Sequence, residues 1–295
     1  MAKFLLPGFY EHFDLFKQFI AYKEKYPHHF YEQAEIGACY GNFNHCIWDG
    51  GRIFFEYTQA GYEDIINVRD YYKSKNIPIR LIYTNPIITE EHLHNNFCNL
   101  VTELCEDENN EIVVNSSILE EYLRKTYPKY KFISSTTKCL LNPKDSKEEL
   151  NKDYYMVCLD YNLNYNMEFL KSIPKEQKEK VEFLINAICF AGCQQRKEHY
   201  RLNGVSQLMN SKLYDITGCS INTNPLDYDT RKQRNNLTPE EIYNTYIPMG
   251  FSNFKLEGRT FKNLEVLLNI VKYMIKPEYQ FQCILHICKN MGLNQ

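Results

Sequence analysis

A chain of 295 residues with 44% hydrophobic and 24% charged side chains falls in the range of folded globular proteins and outside the disordered and membrane-embedded classes. A formal charge of -3 gives no general attraction to nucleic acid or anionic lipid, so RNA binding would need a local basic patch. The N-terminal "MAKFLLPGFYEHF" is too short in its apolar part for an export signal. The longest later run, "LEVLLNIVKYMI", is broken by Asn269 and Lys272 and too short to cross a bilayer. A cytoplasmic location without membrane contact is expected, where the eleven cysteines stay reduced, most as core residues and a few as candidate metal ligands.

In chain order, the pattern predicts a helix near 10–25, a strand at 34–40 ("AEIGACY"), a helix at 62–75, a strand at 78–84 ("PIRLIYT"), a helix at 89–106 and a strand at 111–115 ("EIVVN"). Ser117 with Glu120 reads as a capping box opening "ILEEYLRKTY", which Pro128 stops. Strands follow at 131–135 ("KFISS") and 155–161 ("YMVCLDY"), a helix at 164–172, and strands at 181–187 ("VEFLINA") and 214–221 ("YDITGCSI"). "LTPEEIYNTYIPMG" is a helix with Thr238 as cap, Pro239 in the first turn, Glu241 completing the box and Gly250 after the end. A strand at 251–256 ("FSNFKL") and a helix at 261–275 complete the series. Eight strands alternating with helices predict an α/β fold, a (β/α)8 TIM-barrel-like single domain over 1–295 with an N-terminal helix, a C-terminal helical end and an irregular seventh unit. An open doubly wound sheet is the alternative.

In such a barrel, chemistry gathers in the loops that leave the C-terminal ends of the strands. These loops are polar here: "CYGNFNHC", "TNP", "NSS", "SSTT", "DYN", "CFAGC" and "EGR". Turn preference alone would supply many of the same residues. Cys189 and Cys193, leaving the sixth predicted strand, can present two thiolates to one metal, with Cys219 and Cys39 as the next candidates. The plainer reading makes Cys189 a small buried apolar residue and Cys193 a free loop thiol. Arg196 and His199 lie beside these thiols and are candidate anion-binding residues, or else begin a solvated basic helix. Lys255, Glu257 and Arg259 leave the last strand, where Glu257 and Arg259 are expected to pair across the barrel mouth or contact a substrate.

Other signatures are absent. Position 196 is Arg196, so no Cys-x3-Cys-x2-Cys radical-enzyme pattern exists, and no His-Glu-x-x-His, Gly-x-Ser-x-Gly or Gly-x4-Gly-Lys-Ser/Thr motif is present.

"YGNFNHCIWDGGR", "CFAGCQQRKEHY" and above all "LTPEEIYNTYIPMGFSNFKLEGRT" resemble segments of the collagenase-like peptidase family U-thirty-two, with the likeness running from about residue 34 to 275. The resemblance implies a TIM-barrel-like domain and, as in several members, a four-cysteine iron-sulfur cluster used in oxygen-independent hydroxylation of RNA bases or a quinone precursor. Other members are described as peptidases. It places Cys189 and Cys193 on the family's cysteine-bearing loop, Lys255, Gly258 and Arg259 on its last-strand motif, and Cys219 less firmly as a further ligand. The chain departs from the family in lacking the longer members' extra C-terminal domain and a fourth cysteine identifiable by motif.

Three functions are therefore expected as alternatives. The first is an iron-sulfur enzyme or enzyme subunit with a four-iron, four-sulfur cluster on Cys189, Cys193, Cys219 and Cys39 or a non-cysteine ligand. There Arg196, His199 and Arg259, with Glu257, would position RNA or a small anionic or aromatic molecule. The second is a peptidase-like or peptide-binding protein with a cysteine nucleophile near His199. The third is a non-catalytic barrel stabilised by zinc.

Overall fold

Ala2, Phe4 and Leu6 belong to one apolar cluster and Leu5 to another, the alternation of a strand with two buried faces. The computed structural model describes residues 1–52, 59–189, 191–211 and 235–292, and in it this N-terminal run is β1 (Ala2–Pro7). Next come α1 (Phe13–Lys25), β2 (Ala34–Gly41), α2 (Tyr62–Ser74), β3 (Ile79–Tyr83), α3 (Asn96–Leu104), β4 (Glu111–Val114), α4 (Ser117–Thr126) and β5 (Lys131–Ser134). The chain continues through α5 (Pro143–Leu150), β6 (Met156–Cys158), α6 (Met167–Ser172), α7 (Lys175–Lys178), β7 (Val181–Leu184) and α8 (Arg196–Leu208). It ends with α9 (Pro239–Glu241), β8 (Asn253–Lys255), α10 (Asn263–Met274) and α11 (Gln280–Met291). The eight strands form a closed barrel in chain order, every neighbouring pair parallel, with β1 pairing both β2 and β8. No described helix is long and apolar enough to cross a membrane.

The (β/α)8 barrel is the expected fold, but its strands are numbered differently. β1 lies where the sequence pattern shows only a short apolar run before a helix. The predicted strand at 214–221 falls outside the described residues, and the barrel closes without it. The loop carrying Cys189 and Cys193 therefore follows β7, the seventh strand, and lies next to the last one. The cap of α4 is Ser116, whose side chain accepts from Leu119 N at 3.4 Å, one residue earlier than predicted. The Thr238–Glu241 box is present, with Glu241 N donating to Thr238 Oγ1 at 3.2 Å and Thr238 N donating to Glu241 Oε2 at 2.8 Å. It opens α9, which runs into a π-helix at Ile242–Tyr246.

Strand alternation sorts the side chains into two layers. Phe4, Leu81, Ile112, Phe183 and Phe254 join the cluster under the helices, while Leu5, Ala38, Tyr40, Ile82, Val113 and Ile133 fill the barrel. The interior also holds charge. Arg80, fully buried, donates to Glu111 Oε2 at 2.6 Å through Nε and pairs with Glu182 through Nη1. Burial pushes Glu182 up, but Arg80 and then Lys255 pull harder and hold it below the usual carboxylate range.

Candidate active site at the barrel mouth

The loop after β2 is held over the C-terminal end of the barrel by "WDGGR". Trp48 is fully buried, and its indole donates to His92 O at 2.9 Å. Asp49 accepts from Gly50 N at 2.7 Å. Both Asp49 oxygens also accept from Arg259 Nη1, at 2.9 and 2.8 Å, while Arg259 Nη2 donates to Gly50 O at 2.8 Å. A Cβ on Gly50 would lie 2.5 Å from backbone atoms of Thr84 and Asn85, and Gly51 has φ 77°, so the loop reaches the end of β3 only with glycine at these positions. Arg52 then pairs with Glu257. Glu257 Oε2 accepts from Ile188 N at 2.8 Å, which ties the exit of β8 to the loop that carries the thiols.

Glu257 and Arg259 thus do not pair with each other as expected. Both reach across to the β2 loop instead, because Arg52 and Asp49 stand opposite them there. Their ion pairs brace the mouth.

Inside this brace is a cleft of about 70 Å³ bounded by Tyr40, Arg52, Thr84, Ser135, Leu184 and Lys255. Lys255 sits between outward-facing Phe254 and Leu256, so alternation turns it into the barrel, where it is 8% exposed. Its Nζ lies 4.2 Å from the centre of the Tyr40 ring. That ring is fixed by its own hydroxyl, which donates to Leu256 O. Lys255 makes no hydrogen bond or ion pair with any described residue. Burial depresses its pKa, opposed by Glu182 and Cys158 and reinforced by Arg80 and Arg259. Thr84, in the lining of the same cleft, is 2% exposed and its Oγ1 has no partner among the described residues. A free amine and a free hydroxyl buried in one polar cleft are what a bound small molecule would satisfy.

Helix α8 covers one side of the mouth. Asn203 donates to Gly51 O at 3.1 Å, and a Cβ on Gly204 would lie 2.4 Å from Asn85 Oδ1, so the helix packs closely on the loops after β2 and β3. Arg196 is buried, paired with Asp160, and centred 4.3 Å over the Tyr161 ring. It braces α8 against the end of β6, while its Nε and Nη1 are buried without a partner among the described residues. His199 is half-buried beside Tyr200. Burial, then the charge of Arg52, lowers its pKa to about 4, so it is neutral near pH 7 and adds no positive charge to the site.

Cys189 is 8% exposed and packs with Tyr161, Leu184 and Ala187, with Cys193 against the same patch. Burial raises the Cys189 pKa, the adjacent Tyr161 hydroxyl lowers it, and the neighbouring Cys193 thiol raises it. The two thiols predicted to act together are therefore neighbours. Cys39 is not with them. It lies between inward-facing Ala38 and Tyr40, so it points outward into the layer under the helices, fully buried near Tyr72, and its place among the metal ligands is corrected. Cys219 lies outside the described residues. Among the described residues no group of three or more His, Cys, Asp or Glu side chains could hold a metal. They therefore do not by themselves fit a four-cysteine cluster or a four-coordinate zinc.

One carboxylic acid near the mouth was not expected. Glu11 follows β1, its Oε2 is buried without a partner among the described residues, and burial, opposed mainly by Arg259, raises its pKa to about 8. Its signal in the sequence was β1 itself.

No protein-family model matches the chain, and no curated protein does. A solved structure titled "The Structure of the U32 Peptidase Mk0906" is similar to it, with 14% identity, a TM-score of 0.53, and coverage of 88% of this chain and 93% of that one. At that identity the likeness speaks for the shared barrel fold alone.

Proposed function

We propose that the chain is a barrel enzyme that binds and converts a small anionic molecule at its C-terminal mouth. The observation carrying this reading is Lys255, a buried amine lining the same cleft as Thr84, neither the amine nor the Thr84 hydroxyl having a hydrogen-bond partner among the described residues. Arg52 and Arg259 line the same cleft but are already paired with Glu257 and Asp49, so Lys255 is the cleft cation without an ion pair among the described residues to meet a carboxylate or phosphate. The test is a panel of small carboxylates and phosphates screened by thermal shift on the wild type and on Lys255→Met. A ligand that raises the wild-type Tm by several degrees and leaves the variant unmoved supports the reading. No shift across the panel contradicts it.

A second reading rests on the neighbouring thiols of Cys189 and Cys193. With Cys219 and a fourth ligand other than Cys39, they would hold an iron-sulfur cluster for oxygen-independent modification of RNA or a small aromatic substrate. Iron and sulfide analysis after anaerobic purification tests it, with metal-free protein after reconstitution as the contrary result. Peptide hydrolysis, the activity named for the structural neighbour, would need Cys193 and His199 to act as a nucleophile and base. No hydrogen bond joins them in the structure, and a histidine with a pKa of about 4 is a weak base at neutral pH.

A further inference from the structure

Resting on the reading of the mouth as a binding site for a small anion, we infer that Lys255 is a nucleophile that condenses with the carbonyl group of an oxo acid. Three features lead there. The amine is held inside a closed barrel with no hydrogen bond or ion pair from any described residue to occupy its lone pair or its protons. Glu182, the carboxylate that acts on it, makes no ion pair with it and is bound through Oε2 by Arg80, which also holds Glu111. The cleft that it lines holds about 70 Å³, room for a few water-sized groups, and is also lined by Thr84, Ser135, Thr136 and Thr137. A lysine meant only as a fixed charge would be expected to make an ion pair with a carboxylate. Lys255 lies in the field of Glu182 but makes no ion pair with it or with any other described residue.

The chemistry balances without a further reagent. The Nζ lone pair adds to the carbonyl carbon, forming the C–N bond and opening the C=O bond to an alkoxide. A proton passes from nitrogen to that oxygen to give a carbinolamine. Loss of the hydroxyl and the remaining N–H proton as one water leaves the imine, with no change in oxidation level. The carboxylate of the oxo acid would lie toward Arg52 and Arg259, the cations that share the cleft with Lys255. Charged or titratable groups acting on the amine are Glu182, Cys158, Arg80 and Arg259, and the Tyr40 ring covers it.

Reductive trapping tests the inference on the full chain. The wild-type protein is incubated with pyruvate, and separately glyoxylate, and sodium cyanoborohydride at pH 7, and the modified lysines are located by peptide mass. The expected result is labelling of Lys255 at least tenfold faster than exposed lysines such as Lys144, with loss of that fast component in Lys255→Met. Labelling spread over surface lysines, with Lys255 at or below their rate for both acids, overturns it. Lactate, which has the carboxylate but no carbonyl, separates the two levels of the reading. If lactate and pyruvate both raise Tm while Lys255 is not trapped, the anion site stands and the nucleophile falls; if neither binds and nothing is trapped, both fall.

Discussion

Replacing Arg259 with alanine removes the group that holds the β2 loop over the barrel. In the wild type its guanidinium makes two bonds to Asp49, at 2.9 and 2.8 Å, and one to Gly50 O at 2.8 Å, with side-chain exposures of only 6% and 4% for Arg259 and Asp49. The variant leaves Asp49 buried with Gly50 N as its remaining donor, and stranding one member of a buried pair costs about 3–5 kcal/mol. For 295 residues the unfolding entropy is about 0.6 kcal/mol/K, so the expected fall in Tm is about 5–8 °C. Adding Asp49→Asn removes the stranded charge and should recover half or more of the loss, because the penalty lies mainly in the unpaired carboxylate rather than in the missing pair. Differential scanning calorimetry on both variants reads this directly. A fall below 1 °C in Arg259→Ala, or a double variant less stable than the single one, would refute the buried brace.

Three further outcomes follow from the same geometry. Lys255→Met should be more stable than wild type near pH 7, by on the order of 1–2 kcal/mol, because an apolar side chain of similar length replaces a buried amine for which burial outweighs the attraction of Glu182. Since the folded-state pKa of Lys255 is depressed, the unfolded chain binds more protons there, so the gain is full below the folded pKa and fades as pH rises toward about 10.4; urea titrations at several pH values check it. Gly50→Ala should lose about 1–3 kcal/mol or more, since its Cβ would lie 2.5 Å from the Thr84 and Asn85 backbone, and it should also weaken any ligand at the mouth; equilibrium denaturation and the thermal-shift panel measure both effects. Burial pushes Glu149 up, but hydrogen bonds from Lys138, Lys152 and Ser134 outweigh it and hold its pKa at about 2. Its contribution is therefore present above the ordinary carboxylate range and lost as pH falls toward 2, so the stability difference between wild type and Glu149→Gln should shrink over that window in acid titrations.

Much of the barrel was legible because its strands are short apolar runs bounded by turn residues, and Thr238, Pro239 and Glu241 carry an N-terminal helix signal in four residues. β1 was not, because six residues ending in Pro7 carry too little periodicity to separate a buried strand from an apolar chain start. Its absence hid Glu11 and shifted the loop numbering by one. The thiol pair was legible from spacing, since residues four apart in one loop stay close. The choice of Cys39 failed on strand phase: a cysteine between Ala38 and Tyr40 must face away from the barrel interior when those two face into it. The same phase rule, applied to "FKL", would have marked Lys255 as an inward amine between Phe254 and Leu256. Partner choice was beyond the sequence, because Glu257 meets Arg52 and Arg259 meets Asp49 only after the barrel brings residues more than two hundred positions apart together.

The most direct test of the mouth as a site built around a free buried amine is the titration of that amine by NMR in protein with isotopically labelled lysine, assigned by comparison with Lys255→Met. The resonance missing from the variant should titrate below the ordinary lysine value and shift on addition of pyruvate. Titration of every lysine near about 10.4, with no resonance that pyruvate moves, would contradict the claim.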